Sequence, residues 1–96
     1  VDTPLVFAMN GNYPNPFNPM TQISFSLPKE AHTSVQVLDV RGRVVRTLFV
    51  GTMAEGDQQL NWDGTGDDGH SVSAGLYLAR LRTVGYEATV KMTLAK

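Results

Sequence analysis

Apolar and polar side chains alternate along most of this 96-residue chain, and this alternation constrains its fold more than any other feature. In residues 86–94, every second residue from Ala88 to Leu94 is apolar, and the residues between them are Thr or Lys. A period of two is expected for a β-strand that has one buried face. No segment shows the 3.6-residue period of an amphipathic helix. The pattern therefore predicts a chain built from strands.

The predicted strands are residues 22–27, 34–40, 44–50, 58–62, 76–83 and 86–94, with a further candidate at residues 5–9. Turn signals separate them. DVRG at residues 39–42 suits a type I turn with Gly42 in the left-handed conformation, and Val84-Gly85 suits a second tight connection. Six or seven short strands joined by such turns predict an all-β fold, an immunoglobulin-like antiparallel β-sandwich of about seven strands. Phe25 and Trp62 are the expected centre of its core.

Composition excludes several functional classes. The net charge is -1, whereas a nucleic-acid surface needs clustered Lys and Arg, so we expect no nucleic-acid partner. The chain has no cysteine, which excludes disulfides and zinc–thiolate sites, and we expect no cofactor. No apolar run is long enough to span a bilayer and no cleavable signal peptide opens the sequence. If the protein is exported, we expect its signal peptide on a part that precedes this sequence.

The segment YPNPFNP, residues 13–19, places three of the five prolines close together. Proline fixes φ, extends the preceding residue and lacks an N–H, so the segment is not a central strand. We expect it to run along an edge or to bridge two sheets, with the rings of Tyr13 and Phe17 inserted as plugs. Asn15 and Asn18 are expected to bond neighbouring backbone and hold the kinks.

Five segments, in order, resemble a known family. YPNPFNPMTQISFSLP (residues 13–28) resembles the start of the C-terminal sorting domain of type IX secretion cargo, and equally the immunoglobulin-like domain of flagellar hook-capping proteins. VLDVRGRVVRTL (37–48), NWDGTGDDG (61–69), SAGLYLARL (73–81) and VKMTLAK (90–96) are similar to the family's hairpin, tryptophan–aspartate–glycine turn, glycine-x-tyrosine strand and last strand. The resemblance implies structural roles for Tyr13, Pro14, Asn15, Pro16, Phe17, Asp39, Gly42, Arg43, Trp62, Asp63 and Gly64.

The resemblance also implies a function. Such domains end large secreted bacterial proteins, are recognised by the outer-membrane translocon and in many cases are linked to surface lipopolysaccharide. We therefore expect a non-catalytic sorting and attachment module at residues 13–96, exported to the outer-membrane surface or beyond, with residues 1–12 as the end of a linker from an upstream passenger domain. The residues expected to act in sorting and translocon recognition are Gly75, Tyr77, Lys91 and Lys96.

The acidic loop offers a weak calcium candidate, Asp63, Asp67 and Asp68, since calcium binds through six to eight oxygen ligands. The favoured interpretation is a tight loop in which Asp63 caps backbone N–H groups. Paired carboxylates also serve glycoside chemistry, but no second acidic cluster accompanies them, and we expect no enzymatic activity.

Three further interpretations of the sequence remain open. One basic cluster surrounds a hairpin (Arg41, Arg43 and Arg46) and another lies on a later strand (Arg80 and Arg82), and these could meet lipopolysaccharide phosphates or serve as solvated edge charge. A carbohydrate-binding or adhesive module of a hydrolase would need exposed rings, for which Tyr86 is the candidate. A flagellar hook-cap domain would need an assembly region on the same chain.

Overall fold

The computed structural model describes residues 7–95 and has the predicted all-β architecture. Its strands are β1 (Ala8–Tyr13), β2 (Thr21–Leu27), β3 (Ala31–Leu38), β4 (Val44–Met53), β5 (Gly56–Trp62), β6 (Gly75–Thr83) and β7 (Tyr86–Leu94). They form two antiparallel sheets, a three-stranded sheet ordered β1-β2-β5 and a four-stranded sheet ordered β4-β3-β6-β7. In the part of the chain that is described, no helix is long and apolar enough to cross a membrane.

The core lies between the two sheets and follows from the alternation. On β2, Ile23, Phe25 and Leu27 are fully buried, and on β6, Ala79 and Leu81 are fully buried. The predicted central residues are confirmed, because Phe25 is 0% exposed and Trp62 is 1% exposed. Burial of such side chains stabilises the fold by about 1.5–3 kcal/mol each. The remaining core residues are Phe17, Val35, Val37, Met53, Tyr77, Met92 and Leu94.

Several strand ends differ from the predicted ones. β3 spans Ala31–Leu38 rather than residues 34–40, and β4 continues to Met53. The β3–β4 register shifts twice, so bulges interrupt the regular pairing of β4 with β3.

The first strand lies later than the candidate at residues 5–9. β1 begins at Ala8 and ends at Tyr13, and the expected boundary between linker and domain, after Asn12, falls inside it. Residues 7–12 of the expected linker therefore belong to the sandwich or lie directly beside it, and residues 1–6 lie outside the described part.

The predicted turn between β3 and β4 is confirmed. Gly42 has φ +87° and donates its N–H to the Asp39 carbonyl (3.0 Å), and the Asp39 N–H bonds the Arg43 carbonyl (2.9 Å). The Asp39 carboxylate accepts the N–H groups of Arg41 and Arg43 and an Arg43 guanidinium bond. These bonds, the Arg43 backbone bond above all, hold the pKa of Asp39 below its ordinary value of 3.8.

Candidate functional site

The five segments of the sequence motif meet at one end of the sandwich, which we call the motif end. At this end β1, β3, β5 and β7 finish and β2, β4 and β6 begin, as the antiparallel pairings require. The proline-containing segment, the hairpin turn, the tryptophan loop and the glycine at the start of β6 therefore all lie at the end of the sandwich where β7 finishes. Sequence order separates these segments by tens of residues, and the fold brings them together.

Aromatic rings fill the motif end. Phe17 is 1% exposed, and its ring centroid lies 5.5 Å from that of Trp62. Trp62 in turn meets Tyr77 edge to face at 5.4 Å, a favourable geometry for aromatic pairs. The Trp62 indole N–H donates to the Thr65 carbonyl at 2.8 Å, so its polar atom is satisfied inside the fold. The prediction that Phe17 plugs the sandwich is confirmed.

The prediction that Tyr13 is a second plug is wrong, because its side chain is 83% exposed. The cause is a bulge in β1 between Met9 and Gly11, where Gly11 has φ +106°. Met9 lies opposite the buried Phe25, but the extra residue shifts the alternation by one position. Tyr13 then lies opposite Gln22, on the outer face of the three-stranded sheet.

The exposed aromatic expected from the sequence was Tyr86, and this too is corrected. Tyr86 is half-buried, and its ring stacks on Phe7 with 5.1 Å between centroids. Tyr13 is therefore the exposed ring. The signal that could have located it is the isolated glycine in the first strand, since such a glycine often marks a bulge.

Asn15 and Phe17 hold the outer edge of β7, and we call them the clamp. The Phe17 N–H donates to the Thr93 carbonyl (2.9 Å), and the Ala95 N–H donates to the Phe17 carbonyl (2.8 Å). The Asn15 side-chain oxygen accepts the Thr93 N–H (2.9 Å), and its amide N–H donates to the Lys91 carbonyl (3.3 Å). The segment thus bridges the two sheets as predicted, but Asn15 bonds a distant strand rather than neighbouring backbone.

The tryptophan loop is a tight turn, as the favoured interpretation predicted. Asp63 Oδ1 accepts the Thr65 N–H (3.1 Å) and hydroxyl (2.6 Å), and these bonds, led by that of the hydroxyl, lower the pKa of Asp63. Gly64 has φ +80°, and a Cβ there would lie 3.3 Å from the Pro19 carbonyl oxygen. Only glycine lets the loop approach this closely.

The other two carboxylates of the calcium candidate point elsewhere. The Asp67 carboxylate accepts the Thr47 N–H at 3.0 Å while its own N–H donates to the Val45 carbonyl, so Asp67 covers part of the β4 edge. Asp68 accepts the His70 N–H at 2.9 Å, which lowers the pKa of Asp68. Across residues 7–95, no group of three or more His, Asp or Glu is placed to hold a metal ion. The three carboxylates therefore do not converge on one point.

The four sorting candidates occupy different environments. Tyr77 is buried and donates its hydroxyl to the Ser73 carbonyl (2.6 Å), and burial is the main cause of its raised pKa. Gly75 has φ +146° and pairs with Leu94, so it shapes the start of β6. Lys91 is exposed on β7. Lys96 lies outside the described residues.

The arginines do not form a free basic surface, because four of the five bond to neighbouring groups. The pairs are Arg43 with Asp39, Arg46 with Thr65, Gly66 and Asp67, Arg80 with Gln36, and Arg82 with Glu87.

A sequence model of the FlgD Ig-like domain matches residues 11–85, most of the chain. The chain therefore belongs to the FlgD Ig-like domain family. The match ends in the turn before β7, so the last strand lies beyond it. No curated protein sequence matches the chain.

Solved structures share the fold at low identity. Dimeric latent PorU from Porphyromonas gingivalis matches with a TM-score of 0.73 and 20% identity over 98% of this chain, which spans 10% of that one. FlgD from P. aeruginosa matches with a TM-score of 0.62 and 22% identity over 95% of this chain and 75% of that one. FlgD from Xanthomonas campestris matches with a TM-score of 0.63 and 20% identity over 92% of this chain and 64% of that one.

Proposed function

We propose that this domain is a non-catalytic module that directs secretion and surface attachment of a larger extracellular bacterial protein. One observation carries the proposal: two of the segments that resemble secretion tails hold β7, one on each of its edges. β6 pairs with its inner edge along the whole strand, and the clamp bonds the end of its outer edge. A strand fixed in this way is a rigid element that export machinery could recognise in a folded cargo domain.

Lys91 is the residue we assign to recognition. Its carbonyl is bonded by Asn15, so its backbone is fixed while its side chain is exposed. An ammonium group in this position suits an acidic translocon surface or a phosphate of surface lipopolysaccharide. Gly75 and Tyr77 then serve recognition indirectly, because they shape and support the strands that carry Lys91. Lys96 remains a second candidate.

The comparisons support a module carried on a longer protein. The fold matches a tenth of the PorU chain, so a domain of this shape occurs within a much larger protein. The family match stops before β7, and the two lysines that resemble the terminal motif of secretion tails, Lys91 on β7 and Lys96 further along the sequence, both follow it. We propose that the passenger precedes this domain and that the whole protein is exported to the outer-membrane surface or beyond.

The test fuses this domain to the C-terminus of a fluorescent protein that carries a signal peptide. The fusion is expressed in a bacterium with a type IX system and in the same strain without the translocon. Fluorescence at the surface or in the medium of the first strain alone supports the proposal. Retention in the periplasm of both strains contradicts it.

The role of Lys91 requires point variants rather than truncation. Removing residues 90–96 would delete Met92 and Leu94, which are 0% and 1% exposed, and would unfold the domain. Lys91→Ala should reduce export while leaving the urea midpoint unchanged. Lys29→Ala, another exposed lysine outside the strands, is the matched control. Equal export of both variants would remove Lys91 from the proposal.

A flagellar hook-cap domain is the second candidate, and membership of the FlgD Ig-like family favours it. One of the matched FlgD structures is described in terms of hook capping in flagellar assembly. Exchanging this domain for the Ig-like domain of FlgD in a motile bacterium tests the candidate. Restored hooks and motility would support it, whereas folded but inactive chimeric protein would argue against it.

A further inference from the structure

The outer face of the three-stranded sheet carries a row of side chains that crosses all its strands. Tyr13 on β1 pairs with Gln22 on β2, which pairs with Asn61 on β5. Directly opposite residues of paired strands lie on the same face, so the phenol ring and the two amides stand side by side. The Gln22 amide nitrogen lies 3.5 Å from the Asn61 side-chain oxygen, so the two amides are neighbours in the row.

The backbone that carries the exposed ring is anchored to the sheet. Tyr13 is the last residue of β1, and Pro14 follows it directly. The Pro14 carbonyl accepts the Thr21 hydroxyl at 2.8 Å and the Asn12 side-chain amide at 3.4 Å, and Tyr13 itself pairs with Gln22, so the backbone around the ring is bonded to the sheet. Because the backbone is anchored, only the side-chain torsions of Tyr13 have to be ordered when the ring binds a ligand, which limits the entropy cost.

The surroundings of the ring combine apolar and uncharged polar groups. A shallow concavity of about 290 Å³ is lined by Tyr13, Pro14, Met20, Thr21, Gln22 and Asn61. Met20 is 52% exposed, so the ring and the thioether form a small apolar surface beside the amides. No charged side chain lines the concavity. This set of groups favours a ligand with one apolar face and several hydroxyls.

We propose that this row binds a neutral polysaccharide, with a sugar ring stacked on Tyr13 and sugar hydroxyls bonded by Gln22 and Asn61. The apolar C–H face of a pyranose ring suits an exposed aromatic face, and a carboxamide both donates to and accepts from hydroxyl groups. Two strand spacings separate β1 from β5, about 10 Å, which accommodates a short oligosaccharide. The binding site is independent of the proposed role of β7 and adds a function to it.

The test is an NMR titration of the ¹⁵N-labelled domain with soluble neutral hexasaccharides, namely cellohexaose, laminarihexaose and mannohexaose, up to millimolar concentrations. We expect saturable shifts of the backbone amides of Tyr13, Gln22 and Asn61 with at least one of them. Hexagalacturonate serves as the charged comparison and should bind more weakly. Tyr13→Ala should weaken binding about fivefold, since aromatic contacts of this kind contribute about 1 kcal/mol.

Matched variants separate loss of the ring from loss of the fold. Tyr13→Phe keeps the aromatic face and should retain binding, whereas Gln22→Ala should weaken it. Val84→Ala truncates another exposed apolar side chain, 78% exposed in the β6–β7 turn, and should have no effect.

Three results would overturn the proposal. They are no shift with any neutral hexasaccharide, shifts that Tyr13→Ala leaves unchanged, and shifts of this row that depend on protein concentration alone. The last result would assign the row to contact between copies of the domain.

Discussion

Truncation of Phe17 tests whether the proline-containing segment is part of the core. The side chain is 1% exposed and contacts the Trp62 ring. A buried aromatic side chain removes about 150–250 Å² from water, which at about 25 cal/mol per Å² is an upper estimate of roughly 4–6 kcal/mol. The alanine that remains keeps part of this burial, and measured Phe→Ala costs in protein cores are about 3–5 kcal/mol. We therefore expect Phe17→Ala to lower the free energy of unfolding by about 3–5 kcal/mol.

The assay is urea denaturation followed by the fluorescence of Trp62, the single tryptophan of the chain. Because the missing ring lies against the indole, the native emission should also change. Tyr13→Ala, in the same motif but 83% exposed, is the control and should alter stability by less than about 0.5 kcal/mol. A loss below about 1 kcal/mol for Phe17→Ala, or equal losses for both variants, would refute the idea that this segment completes the core.

Three further predictions concern the motif end. Asn15→Ala removes the acceptor of the Thr93 N–H, so hydrogen exchange at the Thr93 amide should accelerate and stability should fall by about 1 kcal/mol; unchanged exchange would contradict the clamp. In urea denaturation, Gly64→Ala should lower the free energy of unfolding more than Gly42→Ala. Both glycines have positive φ, but only a Cβ at position 64 would meet a backbone oxygen within 4 Å. Equal losses would contradict this prediction. The pKa values of Asp39, Asp63 and Asp68 are lowered in the folded state, so these carboxylates stabilise the fold at pH values above their ordinary pKa of 3.8. This stabilisation is lost as pH falls below about 4. Asp39→Asn should therefore reduce the fall in the free energy of unfolding between about pH 4 and lower pH. An unchanged fall would show that Asp39 does not contribute to the acid sensitivity of the fold.

Much of the fold was predictable because the information is local. Alternation fixes which side chains of β2, β6 and β7 face the core, and Gly42 marks a turn that few other residues can form. The prolines exclude a central strand at residues 13–19, which the structure confirms. The ends of β3 and β4 were less predictable, and the bulges inside β4 depend on its pairing with β3 rather than on the sequence of either strand.

The candidate sites depended more on tertiary structure. The sequence identifies Asn15 as a residue that bonds backbone, but only the fold places it against Lys91 and Thr93, more than seventy residues later. It marks Asp67 as a loop carboxylate, but only the fold places it at the edge of β4. Such contacts join segments that are distant in the chain, so no local pattern records them.

The sequence by itself determined that this chain is a sandwich of short strands with an aromatic core and a rigid opening segment. Periodicity, turn residues and proline chemistry act over a few residues, and they are legible without coordinates. Tertiary structure alone decided which ring is buried and which is exposed. One extra residue in β1 turns Tyr13 to the outer face, and the bridge to β7 carries Phe17 into the core. The physical reason is that a side chain's face depends on strand register, and register is set by the partner strand.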